Sequence, residues 1–403
     1  MPTHWCCISV LLYSATAEVA SRDGSAASAP RQQFFRLPGS VLVMKELQCS
    51  PILGAVTQAA GYGGIARVSR MLLDVLQVIS GNTCQVVKLC SGIPGPVSTT
   101  MKVRFASVLA LRQLRGKVSW VVFDHLALAR IQPLVPAVFR RPYAVFLHDI
   151  EAWGRMGPLQ KAALKGARVR IANSQYTANK VTSAHPDVGA VHVCHLALPR
   201  VEPAAGHLNT ALLDSIYPSA VLIVGRMGST ERYKGHDQLL AAWPEVKRRV
   251  LAAQLIVVGD GDDIPRLKRV ATATGVGSSI LFTGRVDEHT LHAIYDRAAL
   301  FVMPSSREGF GLVYLEAMHH RLPCIGSTED AASEVIVQGQ TGLLVSQSDV
   351  SGLAEAIVKL LQNTALRRQM GEAGFCRLEE IFSFSRFQAR LIQLLHPLCG
   401  PRG

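Results

Sequence analysis

Leu300-Phe301-Val302-Met303-Pro304-Ser305-Ser306-Arg307-Glu308-Gly309-Phe310-Gly311-Leu312-Val313-Tyr314-Leu315-Glu316-Ala317-Met318-His319 is the stretch from which the fold can be read. Leu300–Met303 is a short, wholly apolar run of strand length, two glycines then bracket Phe310, and Leu312–His319 reads as a helix. Strand, glycine turn and helix make one βα unit, and the unit recurs in both directions. Ala220–Val224, Leu255–Val258, Ile280–Phe282 and Cys324–Ile325 read as further strands, with helices near Asp237–Arg249, Ile264–Thr274 and Glu288–Arg297. Upstream, Val41–Met44, Gln85–Leu89, Trp120–Phe123, Ala144–Leu147, Val169–Ala172 and Val191–Cys194 read as strands, with a helix from about Val68 to Val78. The polar, Pro-bearing segment Pro199–Pro203 separates the two arrays. Two successive arrays predict an α/β protein of two doubly wound, Rossmann-like domains facing across a cleft. Ligands of such sheets bind beyond the carboxyl ends of the strands, so the strand-end loops carry the function.

Composition agrees with this class. At 403 residues the chain exceeds one compact core, and 49% hydrophobic against 18% charged residues excludes a disordered polar chain. Nine scattered cysteines without a C-x-x-C pair indicate neither a zinc ribbon nor a disulfide framework. No apolar run reaches the roughly 18 residues of a spanning helix, so a cytoplasmic protein is expected, or one peripheral to the inner face of a membrane. Residues 1–38 read as a poorly ordered extension or an over-extended start. Trp5–Tyr13 is apolar, but Met1–His4 lacks the Lys or Arg of a secretory leader. The net charge of +13 is uneven: residues 39–200 carry nineteen Lys and Arg against six Asp and Glu, and residues 201–403 carry twenty against twenty-one. The basic half implies an anionic partner such as a lipid headgroup surface, a phosphorylated acceptor or nucleic acid, or else a solvated basic face. Lys102–Lys117, whose cations flank Val108-Leu109-Ala110-Leu111, has the make-up of an interfacial helix or of one packed on a sheet.

Several strand-end loops bear chemistry. Gly309-Phe310-Gly311 opens a helix, where free N–H groups and the positive helix end suit a phosphate. Glu316 is a carboxylate in an apolar run and needs donors: ribose hydroxyls or a neighbouring Arg. Gly225–His236 holds Arg226 and Lys234, two cations suited to a leaving diphosphate, with Arg232 an extra cation read as solvated. Gly259-Asp260-Gly261-Asp262 is either a nucleotide-side element or a tight turn. Gly61-Tyr62-Gly63-Gly64 precedes the first helix, and His148-Asp149-Ile150-Glu151 ends a strand, with Asp149 and Glu151 available for acid/base work. No nucleic-acid module is present: cations are not interleaved with stacking aromatics.

The Glu308-x7-Glu316 spacing around G-F-G, followed by Glu-Ala-Met, resembles the signature of the retaining GT-B glycosyltransferases of family 4 (glycosyl transferases group 1). The resemblance covers nearly all of residues 41–395. It implies a transfer of a sugar from a UDP- or GDP-sugar to an acceptor hydroxyl with retention, in lipid-linked glycan, glycolipid or polysaccharide synthesis. By this resemblance Glu308 lies beside the donor sugar, Glu316 holds the ribose, Arg226 and Lys234 face the diphosphate, and His148 reaches a sugar hydroxyl. Gly63, Gly64, Gly309, Phe310 and Gly311 approach the donor, and Arg285 or Val286 offers a contact near the base. It implies no cofactor and no metal; Asp260-Gly261-Asp262 has the spacing of a metal-holding pair but is assigned to a turn. The implied partners are the nucleotide sugar, a glycan or lipid-linked acceptor and an anionic membrane surface at residues 39–200, without nucleic acid. The rivals are a nucleotide-sugar epimerase on the same fold and a basic nucleic-acid-binding protein.

The boundaries expected are an extension at 1–38, an acceptor-side domain at 39–200, a nucleotide-sugar domain at 201–383 and a C-terminal crossover helix and tail at 384–403. Two departures from the family pattern stand out. The segment between Val43 and Gly61 is long, and Arg321 replaces a glycine where a helix C-cap is left-handed, at a cost of about 1 kcal/mol.

Overall fold

A computed structural model describes residues 51–57, 63–90, 97–116, 118–198 and 208–398. Among them, twelve strands form two six-stranded sheets. The first holds β1 (Pro51–Thr57), β2 (Gln85–Cys90), β3 (Trp120–Phe123), β4 (Tyr143–Leu147), β5 (Val169–Ala172) and β6 (His192–Val193), in the order β2-β1-β3-β4-β5-β6. The second holds β7 (Ala220–Val224), β8 (Gln254–Val258), β9 (Ile280–Gly284), β10 (Leu300–Val302), β11 (Cys324–Ser327) and β12 (Gly342–Val345), in the order β12-β11-β10-β7-β8-β9. The strands pair in parallel throughout. β3, β4, β8 and β11 are buried along their whole length, as parallel strands covered by helices on both faces must be.

Chain order reverses between β1 and β3 in the first sheet and between β7 and β10 in the second. Crevices open at such switch points. The loops that leave them carry Gly63-Gly64 and Asp124-His125 from one lobe, and Gly225–Gly235 and Pro304–Gly311 from the other. Both lobes belong to one compact unit. A continuous apolar cluster runs from Leu53 and Phe146 in the first sheet through Phe301 in the second and Phe310 in the loop after β10 to Phe387, Leu391 and Leu395. Those last three side chains belong to the final helix, Phe384–Leu395, which packs back on helix Gly64–Ser80 and on β5 of the first lobe.

The structure corrects several expectations. The expected first strand, Val41–Met44, the extension 1–38 and the linker Pro199–Pro203 lie outside the described residues. The first described strand is Pro51–Thr57, paired between β2 and β3. Its Pro51, Gly54 and Ala55 are poor strand formers, so register with two neighbours rather than local propensity makes it a strand. It also ends six residues before Gly63, removing the apparent excess of chain after Val43. β12 went unforeseen as well; a Cβ on Gly342 would lie 2.0 Å from the Cys324 carbonyl oxygen, so glycine is what lets it pair. In helix Thr99–Leu114, Leu109 is fully buried with Phe105 over the first sheet, whereas Val103, Leu111 and Leu114 stay exposed. The helix therefore packs one face on the sheet, and Lys117 is outside the described residues. Arg321 does take the left-handed conformation, at φ 54°. Its guanidinium lies 3.9 Å from the Phe375 ring centre and pairs with Glu372.

Candidate active site

The loops after β7 and β10 are bound to each other. Ser306 N donates to the Tyr233 carbonyl (3.0 Å), and Gly235, at φ 87°, sits where a Cβ would be 2.3 Å from the Pro304 carbonyl oxygen. This contact brings Lys234 Nζ to 3.0 Å from Glu308 Oε2. Burial alone would lower the Lys234 pKa, but the Glu308 charge and hydrogen bond outweigh it and the net shift is upward. The ammonium therefore stays charged. Asp330 holds the Glu308 loop in place: Ser305 Oγ and Glu308 N (3.1 Å) donate to its Oδ2, and Ala332 N (3.0 Å) to its Oδ1. Burial pushes the Asp330 carboxyl up to about 7 against those donors. An open polar cavity of about 320 Å³ is lined by Thr230, Tyr233, Gln238, Ser306 and Arg307 among others, that is, by chain neighbours of Lys234 and Glu308 and not by the pair itself.

Arg226 extends into solvent, 78% exposed, and pairs with Glu231. Arg232 is exposed, as expected of a solvated cation, and also makes two hydrogen bonds to Asp263, at 2.9 and 3.0 Å. Asp263 also binds Arg266, so its negative charge is spent within the loop. Gly259 and Gly261 have φ 139° and 159°, and a Cβ would lie 1.9 Å from the Gly225 oxygen and 2.1 Å from the Met227 oxygen, respectively. This close approach of two strand-end loops explains the glycines as a turn; Asp262 accepts from Ser229 N and Oγ. Arg285 is exposed and Val286 half-buried just past β9, at the same end of the sheet.

Glu316 lies in helix Leu312–His319, whose start is set by Gly311 at φ 85°. Only 6% exposed, it accepts from Tyr295 Oη (2.8 Å) at one oxygen and from Arg67 Nη1 at the other. Of the two kinds of donor the sequence allowed, the Arg is present, and it comes from helix Gly64–Ser80 of the opposite lobe. Arg67 also lies 3.7 Å from Glu288, and burial lowers its pKa. The Phe310 ring packs against His195 and Phe382 in the core, so Phe310 offers a ligand its main chain only. Gly63 and Gly64 face open space: a Cβ at either position would meet nothing within 4 Å.

The two lobes meet at His148 and Gly309. A Cβ on Gly309 would be 2.1 Å from the His148 carbonyl oxygen, and Thr177 Oγ1 donates toward both the His148 and Gly309 carbonyls (3.2 and 3.4 Å). The His148 ring is buried, its Nε2 bonded to the Asp124 carbonyl, which leaves Nδ1 for a ligand. Glu151 accepts from the main-chain N–H of His148 (2.7 Å) and of Asp149 (2.9 Å). Burial lifts Asp149 to about 6, whereas for Glu151 the same penalty is outweighed by the Asp149 and His148 hydrogen bonds and charge, and its pKa falls. Across the lobes, Glu334 of the second accepts from Gln175 N (2.7 Å) and Tyr176 N (2.6 Å) at the start of helix Gln175–Ala184, and lies 2.8 Å from His195 Nε2. Sequence reasoning assigned no role to Arg67, Tyr295, Asp330 or Glu334. Arg67 alone carried a signal, standing one turn into the helix that follows the glycines.

Residues 218–363 match the family model described as Glycosyl transferases group 1. A curated relative is the GDP-mannose-dependent alpha-(1-6)-phosphatidylinositol monomannoside mannosyltransferase of Mycolicibacterium smegmatis, 33% identical over 169 residues, or 40% of this chain and 44% of the relative. The chain thus spans less than half the length of that relative. Among solved structures, the sucrose-phosphate synthase of Thermosynechococcus elongatus superposes with a TM-score of 0.69 at 19% identity, covering 87% of this chain and 99% of the other. Anabaena HepE in complex with UDP-glucose superposes with a TM-score of 0.68 at 18% identity, covering 86% and 99%. The fold is GT-B, and its second lobe carries the match to the glycosyl transferases of group 1.

Proposed function

We propose that the chain is a glycosyltransferase that moves a sugar from a nucleoside-diphosphate sugar to an acceptor hydroxyl, with retention, in glycolipid or polysaccharide synthesis. The observation that carries this reading is the Lys234–Glu308 pair, 3.0 Å apart at the switch point, in the loop whose Gly309 abuts the His148 main chain of the other lobe. In this reading Lys234, with Arg226 swinging in from solvent, neutralises the charge that grows on the leaving diphosphate. Preorganised charge of this kind is worth roughly 2–4 kcal/mol per donor. Glu308 and His148 Nδ1 accept from sugar hydroxyls, and Glu316 accepts from the ribose. Retention follows when the acceptor attacks the face the diphosphate leaves, its proton passing to the leaving phosphate. No metal is required. The Mycolicibacterium relative uses GDP-mannose and a phosphatidylinositol mannoside by name, so GDP-mannose is the first donor to test and a lipid-linked acceptor the first acceptor. The basic first lobe, with Val103, Leu111 and Leu114 exposed beside Lys102, Arg104 and Arg115, supports approach to an anionic bilayer.

Thermal unfolding with GDP, UDP, GDP-mannose and UDP-glucose in EDTA tests the reading. One of these at a hundred times its Kd adds about 2.7 kcal/mol of stability, and donor turnover should survive chelation. Glu316→Ala should weaken nucleotide binding, and Glu308→Ala should mainly slow turnover. If no nucleotide or nucleotide sugar shifts the transition, the proposal fails.

A further inference from the structure

We infer that Arg67, although it belongs to the acceptor-side lobe, is a positioning residue of the nucleotide site, acting through Glu316 to set the preference for a ribose. The inference rests on the donor reading above and extends it to a residue outside the nucleotide lobe. Glu316 is almost fully buried, and its two oxygens are divided between Tyr295 Oη and Arg67 Nη1. Tyr295 is itself wholly buried and stacked on His320, so its side of the carboxylate is fixed by the second lobe. The other side is fixed by a guanidinium that reaches across the cleft. A carboxylate oxygen has two lone pairs, so the oxygen bound by Arg67 still accepts a hydroxyl. Arg67 therefore does two things when the lobes are closed. It gives a buried carboxylate a cationic partner, and it holds the plane of that carboxylate so that its open lone pairs face the nucleotide side. Glu288, 3.7 Å from Nη2, keeps the guanidinium from turning away. Removing Arg67 leaves Glu316 anchored by Tyr295 alone and free to turn, so a ribose hydroxyl loses a defined acceptor.

Calorimetry on the full chain, with GDP and 2′,3′-dideoxy-GDP and in parallel UDP and 2′,3′-dideoxy-UDP, tests this. Variants are Arg67→Ala and Arg67→Lys, each checked for an unchanged thermal transition. A hydroxyl bound to a charged acceptor is worth about tenfold or more in affinity, so wild type should prefer the ribonucleotide by that factor. Arg67→Ala should shrink the preference to about threefold or less by weakening the ribonucleotide alone, and Arg67→Lys should restore part of it. If Arg67→Ala weakens ribo- and dideoxynucleotide by the same factor, Arg67 does not act through the ribose and the inference is overturned while the donor reading stands. If wild type binds neither ribonucleotide, the donor reading falls and the inference with it. An Arg67→Ala variant too unstable to assay is replaced by Arg67→Gln, which keeps most of the side chain and should show the same loss of discrimination.

Discussion

Gly309 offers a direct perturbation of the contact between lobes. Its φ is outside the left-handed range, so alanine fits the backbone there without strain. The added Cβ would instead stand 2.1 Å from the His148 carbonyl oxygen and 3.1 Å from Asp149 Cβ. A relaxed carbon–oxygen contact is about 3.3 Å, so Gly309→Ala must push the His148 loop and the Glu308 loop apart by about 1 Å. Neither neighbour is the end of a flexible side chain, and Thr177, bonded to both carbonyls, resists the movement. Overpacking of this kind costs about 1–3 kcal/mol. The larger effect falls on chemistry: a 1 Å displacement of groups that must converge on one sugar can cost about a hundredfold in rate. Release of nucleoside diphosphate from the donor that wild type accepts would be followed alongside calorimetry with the free nucleoside diphosphate. Turnover should fall about a hundredfold while nucleotide affinity changes less than about threefold, because Glu316 and its helix are not part of the clash. Turnover within threefold of wild type would refute the reasoning, since the two loops would then not need their present separation. Equal losses in turnover and affinity would refute it too, by moving the damage into the nucleotide lobe.

Other expectations follow from the same structure. Burial raises the Asp149 pKa to about 6, so between about pH 4 and 6 the folded state holds a proton that the unfolded chain has lost. Its stabilising contribution is full below about pH 4 and is lost as pH rises through about 6; Asp149→Asn should add roughly 1–2 kcal/mol at pH 7 after allowance for its partial exposure, and little at pH 4. Urea unfolding at both values checks this, and an equal gain at both would contradict it. At Arg321, glycine relieves a left-handed backbone but forfeits the Phe375 and Glu372 contacts, whereas alanine forfeits them and keeps the strain. Arg321→Gly should therefore be about 1 kcal/mol more stable than Arg321→Ala in thermal unfolding, and equal stability would count against the strain.

Most strands were legible because parallel strands buried on both faces are written as continuous apolar runs, as at Trp120–Phe123 and Leu255–Val258. β1 was not, because its pairing on both edges outweighs Pro51, Gly54 and Ala55, and pairing is not a local property. The site divides in the same way. Glu308, Lys234 and Glu316 stand at fixed spacings after strands and could be singled out along the chain. Their partners could not. Arg67 is 249 residues from Glu316, Glu334 is 159 from Gln175, and Asp263 is 31 from Arg232; only the closed arrangement of loops brings each pair together. For this reason the Asp263 partner of the exposed Arg232 was not legible, and Glu316 looked short of a partner until the fold was known.

The return of the last helix to the first lobe has a consequence for how the chain is made. Phe387, Leu391 and Leu395 complete the apolar layer over helix Gly64–Ser80, yet they are translated after the whole second lobe. At 5–20 residues per second, the stretch from 199 to 383 takes about 10–40 s to synthesise. Through that interval the first lobe has its own strands and helices but an uncovered apolar seam, a surface on which a chaperone or another nascent chain can settle. A chain ending at residue 383 would keep that seam open permanently, and its defect would show in the lobe that was made first, far in sequence from the cut.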